Sequence, residues 1–155
     1  MIPKLNPQRI VLDTNVCLDL FVFRDPRWAQ LLAAMQNGQV EALTRDDCRK
    51  EWSIVLAYPH LKLDEAARVQ VSAEFDALIR CHPIPATDEA APRLPVCKDK
   101  DDQKFLELSR DVKADVLITK DKALLKLARK TRRDGLFEIM TPEAWTTSLA
   151  QQALE

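Results

Sequence analysis

Ile10-Val11-Leu12-Asp13-Thr14-Asn15 is an apolar run that stops on a carboxylate. A buried strand ending in Asp delivers that charge to the carboxyl edge of its sheet, where open α/β proteins place their ligands. The same design recurs near the other end of the chain, in Ala114-Asp115-Val116-Leu117-Ile118-Thr119-Lys120-Asp121, where a β-branched apolar run again ends on Asp. Two strands that carry carboxylates to one edge predict a divalent-metal site.

Between these runs, strand and helix signals alternate. Thr14 to Phe23 predicts a short helix capped by Thr14 or Asn15, broken by Asp25-Pro26. Trp28, Leu31, Leu32 and Met35 recur at helical spacing, with Asn37-Gly38 as the stop, and Val40 to Thr44 predicts a strand. Arg45-Asp46-Asp47 opens a helix through Leu56 that carries Glu51, with Asp47 as its expected cap. Asp64 caps a longer one with an apolar stripe of Ala67, Val71, Phe75, Leu78 and Ile79. The proline-rich stretch Cys81 to Pro95 holds a short strand and an extended loop. Asp99 or Asp101 caps the next helix, with Asp102 in its first turn; Lys122 to Lys130 reads as a helix and Phe137 to Met140 as a last strand. Thr141-Pro142-Glu143 has the residues of a helix start. This order predicts an α/β fold of three layers, α/β/α, around a mainly parallel sheet, in one domain over residues 1–155.

Composition narrows the function classes. With 46% hydrophobic and 30% charged residues the chain reads as an ordinary globular protein. Gly38 and Gly135 are its only glycines, which excludes a Gly-rich phosphate loop. The 23 Lys and Arg balance 24 Asp and Glu, so attraction to a polyanion has to be local. Lys120, Lys122, Lys126, Arg129, Lys130, Arg132 and Arg133 supply one local bias, readable as a solvated helix face or as a phosphate-contacting rim. Cys17, Cys48, Cys81 and Cys97 form no C-x-x-C pair and read as free thiols. No leader-like or long apolar segment is apparent, so a cytoplasmic protein without membrane contact is expected.

Asp13, Glu51, Asp102 and Asp121, with Asp99 a near neighbour, stand at element ends or in helices near their starts. Singly, Asp102 reads as a charge complementing a helix dipole, Asp121 as a cap and Glu51 as an exposed helix residue. Asp13 resists so bland a reading, because an ionised carboxylate at the end of a buried strand is costly unless paired or metal-bound. Carboxylates alone suffice for Mg²⁺ or Mn²⁺, which makes His or Ser catalysis unnecessary; His60 and His82, each beside a proline, read as surface residues.

Val11-Leu12-Asp13-Thr14-Asn15-Val16, Cys48-Arg49-Lys50-Glu51-Trp52 leading to Val55-Leu56-Ala57-Tyr58-Pro59, Lys98-Asp99-Lys100-Asp101-Asp102-Gln103-Lys104-Phe105-Leu106-Glu107 and Ala114 to Leu125 together resemble the ordered motifs of PIN-domain nucleases. They are most similar to the branch described as toxin components of type II toxin-antitoxin systems, and Phe137 to Trp145 resembles that branch's closing strand and helix. Trp52 departs from the pattern, which has an aliphatic residue there; the departure touches packing.

The resemblance implies a five-stranded parallel sheet, Mg²⁺- or Mn²⁺-dependent cleavage of single-stranded RNA, a homodimer and an antitoxin partner that occludes the acidic site. It assigns catalysis to Asp13, Glu51, Asp102 and Asp121, and metal binding to Asp13, Asp102 and Asp121 with Asp99 as a further acid. Asn15 and Thr119 become supporting polar residues, and Lys120 and Lys122 candidate contacts to the RNA backbone. The alternative is a catalytically silent PIN-like protein that binds metal, RNA or a partner. An adhesion-type metal module needs a hydroxyl where Cys17 stands, a dehalogenase-like phosphatase needs Asp where Asn15 stands, and a signalling receiver needs adjacent acids after its first strand.

Overall fold

Alternation along the first strand sends its apolar residues to both faces of a sheet, and both must then be covered. In the computed structural model, which describes residues 6–86 and 90–154, Ile10 and Leu12 of β1 (Gln8–Leu12) pack into one core layer and Val11 into the other. The same split orders β4 (Val116–Ile118), with Val116 and Ile118 on the first face and Leu117 on the second. With β2 (Val40–Arg45), β3 (Ile79–His82) and β5 (Glu138–Met140), these strands form a five-stranded, all-parallel sheet in the order β3-β2-β1-β4-β5. The chain builds outward from β1 to one side and then from β4 to the other. A crevice therefore opens between the carboxyl ends of β1 and β4, the switch point at which such sheets bind ligands.

Helices cover both faces, as the alternating pattern requires. On the first lie α1 (Thr14–Phe21), α2 (Ala29–Gln36), α4 (Glu65–Leu78) and α8 (Pro142–Leu154); α5 (Gln103–Asp111) and α6 (Lys122–Leu125) cover the second. Between the layers, α3 (Asp46–Leu56) gives Trp52 and Leu56 to the first core and Cys48 to the second. Trp52 stacks on Phe75 with ring centroids 5.0 Å apart, and Phe21 meets both edge-on. The large ring at 52 thus fills the junction of α1, α3 and α4, worth about 1.5–3 kcal/mol of burial by itself.

Several local expectations change. Asp13, not Thr14 or Asn15, caps α1: it is extended, and its Oδ1 accepts the Val16 N–H at 2.9 Å. Asp47 does not cap α3, because it sits inside the first turn with its carboxylate drawn to Arg45 at 2.6 Å. Asp64 and Thr141 do accept the backbone N–H three residues on, Ala67 at 2.7 Å and Ala144 at 3.1 Å. The helix expected over 122–130 is two, α6 and α7 (Ala128–Arg133), separated at Lys126-Leu127. Ile79 opens β3 instead of closing the α4 stripe. His60 is exposed, but His82, in the last position of β3, is half-buried with Nε2 unpartnered. All four cysteines are free.

Candidate metal centre

The carboxyl ends of β1 and β4 are laced together. Asp13 donates its backbone N–H to the Ile118 carbonyl at 3.2 Å, and the Thr119 hydroxyl donates to Asp13 Oδ2. Thr119 Oγ1 in turn accepts the Asp121 N–H at 2.9 Å, so one buried hydroxyl fixes both strand-end acids. Asp13 is 4% exposed. Burial pushes its carboxyl above the ordinary value; the Thr119 and Val16 hydrogen bonds oppose that rise, and the Asp121 charge adds to it.

Asp121 closes the crevice from the β4 side and also caps α6, its Oδ1 accepting the Ala123 N–H at 2.7 Å. Across from it, Asp99 starts a 3-10 turn, Lys100–Asp102, by accepting the Asp101 N–H at 3.0 Å, and Asp102 is the residue before α5. Gln103 pins the approach to this turn, accepting the Cys97 N–H at 2.7 Å and donating to the Pro95 carbonyl at 3.1 Å. One carboxylate oxygen from each of Asp99, Asp102 and Asp121 lies within 4.8 Å of the others. Asp102 Oδ2 is buried and receives no hydrogen bond. Its carboxyl is pushed up to about 7, first by burial, then by a hydrogen bond shared with Asp121, then by the charges of Asp121, Asp99 and Asp13. Carboxylates this close cannot all ionise without a cation or a shared proton.

Glu51 reaches the same groove from α3 and is held at both oxygens. Thr14 Oγ1 donates to Oε1, and the Lys104 ammonium, from the first turn of α5, pairs with Oε2. Lys104 also donates to the Asp101 carbonyl. Neither Thr14 nor Lys104 stands out in the sequence. The one available signal is that each lies within two residues of an acid of the cluster.

These residues line a groove of about 390 Å³ that holds six acids, Asp13, Glu51, Asp99, Asp101, Asp102 and Asp121, with Asn15 exposed on its rim. A cavity of about 450 Å³ beside β2 and β3 and another of about 590 Å³ between α3 and α4 have two acids each. Lys120 and Lys122 are not among the residues lining the acid groove. Lys120 is turned to the buried Asp19, 2.6 Å away, which also accepts from Trp28 Nε1 at 3.2 Å. The basic run downstream lies on α7 and its approach, where Arg132 pairs with Glu138 and Arg133 with Asp134.

An all-carboxylate donor set with an unpartnered buried oxygen fits a hard divalent cation of the Mg²⁺ or Mn²⁺ kind, and offers no nitrogen or sulfur to a softer one. A family model described as PIN domain matches residues 9–123, a span containing every acid of the groove. No curated protein matches the chain.

Proposed function

The chain belongs to the PIN domain family, and from that premise we propose that residues 1–155 form one domain acting as a Mg²⁺- or Mn²⁺-dependent endoribonuclease on single-stranded RNA. PIN domains are in general metal-dependent nucleases. The observation that carries the finer reading is the carboxylate cluster at the β1/β4 crevice: among the described residues, no Lys or Arg bonds to Asp13, Asp99, Asp102 or Asp121, so the fold leaves that charge for a cation.

Asp102 and Asp121, with Asp99 and Asp13 beside them, are the residues that would hold the ion. Bound there, a divalent cation supplies a water of lowered pKa and stabilises charge on the transferring phosphate. Glu51, held by Thr14 and Lys104, is the residue that would orient such a water and accept its proton on a carboxylate oxygen. Thr119 keeps Asp13 aimed, and the Asn15 amide on the rim is free to orient a phosphate oxygen. Lys122, exposed at the start of α6, remains a backbone contact for RNA outside the groove.

The finer family reading completes the proposal: a cytoplasmic toxin component, working as a homodimer and silenced by an antitoxin that covers the acid groove. No helix among the described residues is long and apolar enough to cross a membrane. The test is cleavage of a panel of single-stranded RNAs with Mn²⁺, with EDTA and with Asp13→Asn. Cleavage only with metal, and its loss in Asp13→Asn, is expected. Cleavage in EDTA, or full activity in Asp13→Asn, contradicts the mechanism; metal binding with no cleavage of any RNA favours the catalytically silent alternative.

A further inference from the structure

The acid groove is not lined by acids alone. Beside Asp13, Asp99, Asp102 and Asp121 it is also lined by Leu18, Val55, Tyr58 and His60. Tyr58 is 44% exposed, and its centroid lies 5.8 Å from that of His60 with the planes tilted by 40°.

The pair is fixed by backbone geometry. The Tyr58 N–H donates to the Val55 carbonyl at 3.0 Å, and the Leu61 N–H to the Tyr58 carbonyl at 3.1 Å across the 3-10 turn Pro59–Leu61. Lys62, left-handed at φ 54°, ends that turn. The turn that carries both rings thus follows directly on α3, the helix that bears Glu51.

The groove's cations point the same way. Among the described residues no Lys or Arg lines the groove, and two of the neighbouring ammonium groups are paired, Lys104 with Glu51 and Lys120 with Asp19, while Lys98, Lys100 and Lys122 are exposed outside it. Within the groove itself, then, no Lys or Arg pairs directly with phosphate, the usual source of salt-sensitive binding. Stacking of bases on aromatic faces is the remaining sequence-tolerant source, and it requires bases that are unpaired.

We propose that Tyr58 and His60 form a stacking platform for an unpaired base of the nucleotide strand whose phosphate lies at the acid cluster. The inference rests on the nuclease reading and adds to it how a groove without free cations selects single strands. Loss of one stacked base weakens binding by about tenfold.

The experiment measures binding of a short labelled single-stranded RNA by fluorescence anisotropy, with Ca²⁺ in place of Mn²⁺ to slow cleavage. Wild type, Tyr58→Ala, Tyr58→Phe and His60→Ala are compared on intact RNA and on RNAs carrying one abasic position, scanned along the strand. Expected are a roughly tenfold loss in Tyr58→Ala, near wild-type binding in Tyr58→Phe, and disappearance of the Tyr58→Ala loss at one abasic position. Single-stranded DNA should show the same dependence on Tyr58, duplex RNA none, and the salt slope should correspond to about one or two phosphates. Wild-type affinity in both alanine variants overturns the platform, as does a Tyr58→Ala loss equally large at every abasic position. Either result alongside intact metal-dependent cleavage leaves the nuclease reading standing, whereas failure of the wild type to bind any single strand removes that reading too.

Discussion

Two clusters of carboxylates stand near the carboxyl edge of the sheet, and they differ in whether the chain supplies a cation. Around the last residue of β2, Asp47, Glu107 and Asp111 surround the buried Arg45, whose guanidinium contacts them at 2.6, 3.4 and 2.9 Å. Around the β1/β4 crevice, Asp99, Asp102 and Asp121 face one another and Asp13 lines the same groove, with no Lys or Arg bonded to any of the four among the described residues. The chemical consequence is opposite in sign. Arg45 holds the Asp47 carboxyl below the ordinary range, while burial and like charge push Asp102 up to about 7. A cluster that carries its own counter-ion braces α3 against α5; one that lacks it is poised to take a cation from solution.

Breaking the compensated cluster should produce the largest effect on stability. Arg45→Met leaves three acids without their guanidinium, two of them about a third exposed, and should lower unfolding free energy by about 1–3 kcal/mol in urea denaturation. A loss under about 1 kcal/mol would show that the brace carries little. The mirror experiment on the uncompensated cluster should affect function instead. Asp13→Asn should cut cleavage by roughly 100-fold or more, while the urea midpoint does not fall, since Asn caps a helix as well as Asp.

Between the two clusters stands Glu51, which has one cation of its own. Lys104→Met should leave Glu51 uncompensated beside the other acids and tighten Mn²⁺ binding roughly fourfold by calorimetry, even as turnover falls. Weaker Mn²⁺ binding in Lys104→Met would mean that Lys104 serves the metal site only as scaffold. The smallest effect concerns protons. Asp102 titrates near 7 when folded and near 3.8 when unfolded, so the native state holds the extra proton between those values and the metal-free protein loses stability as pH rises through that window. Asp102→Asn removes this loss, and its melting temperature relative to wild type should rise from pH 4 to pH 8. A difference that does not change with pH would contradict it.

The crevice acids were legible in the sequence because each ends or begins an element whose period is clear. Asp13 and Asp121 follow apolar runs, and Asp99 and Asp102 precede an amphipathic helix. What stayed hidden were partnerships between distant residues. Thr14 and Glu51 are 37 positions apart, Arg45 and Asp111 are 66, and no local pattern reports such pairs. Lys120 likewise pairs with the buried Asp19, 101 positions away, a partner that no local pattern reports. Tyr58 and His60 bracket a proline and read as loop, and only the folded turn shows that they share a groove with the acids. Capping by Asp13 is hidden for a simpler reason, since a residue that both follows a strand and caps a helix has two sequence roles at one position.

If the uncompensated cluster binds a divalent cation, a calorimetric Mn²⁺ titration should show it. Wild type at pH 8 should bind Mn²⁺ saturably, bind it more weakly as pH falls below about 7, where Asp102 takes up its proton, and lose the binding in an Asp102→Asn, Asp121→Asn double variant that remains folded. Unchanged binding in that variant, or no binding in the wild type, would contradict the account.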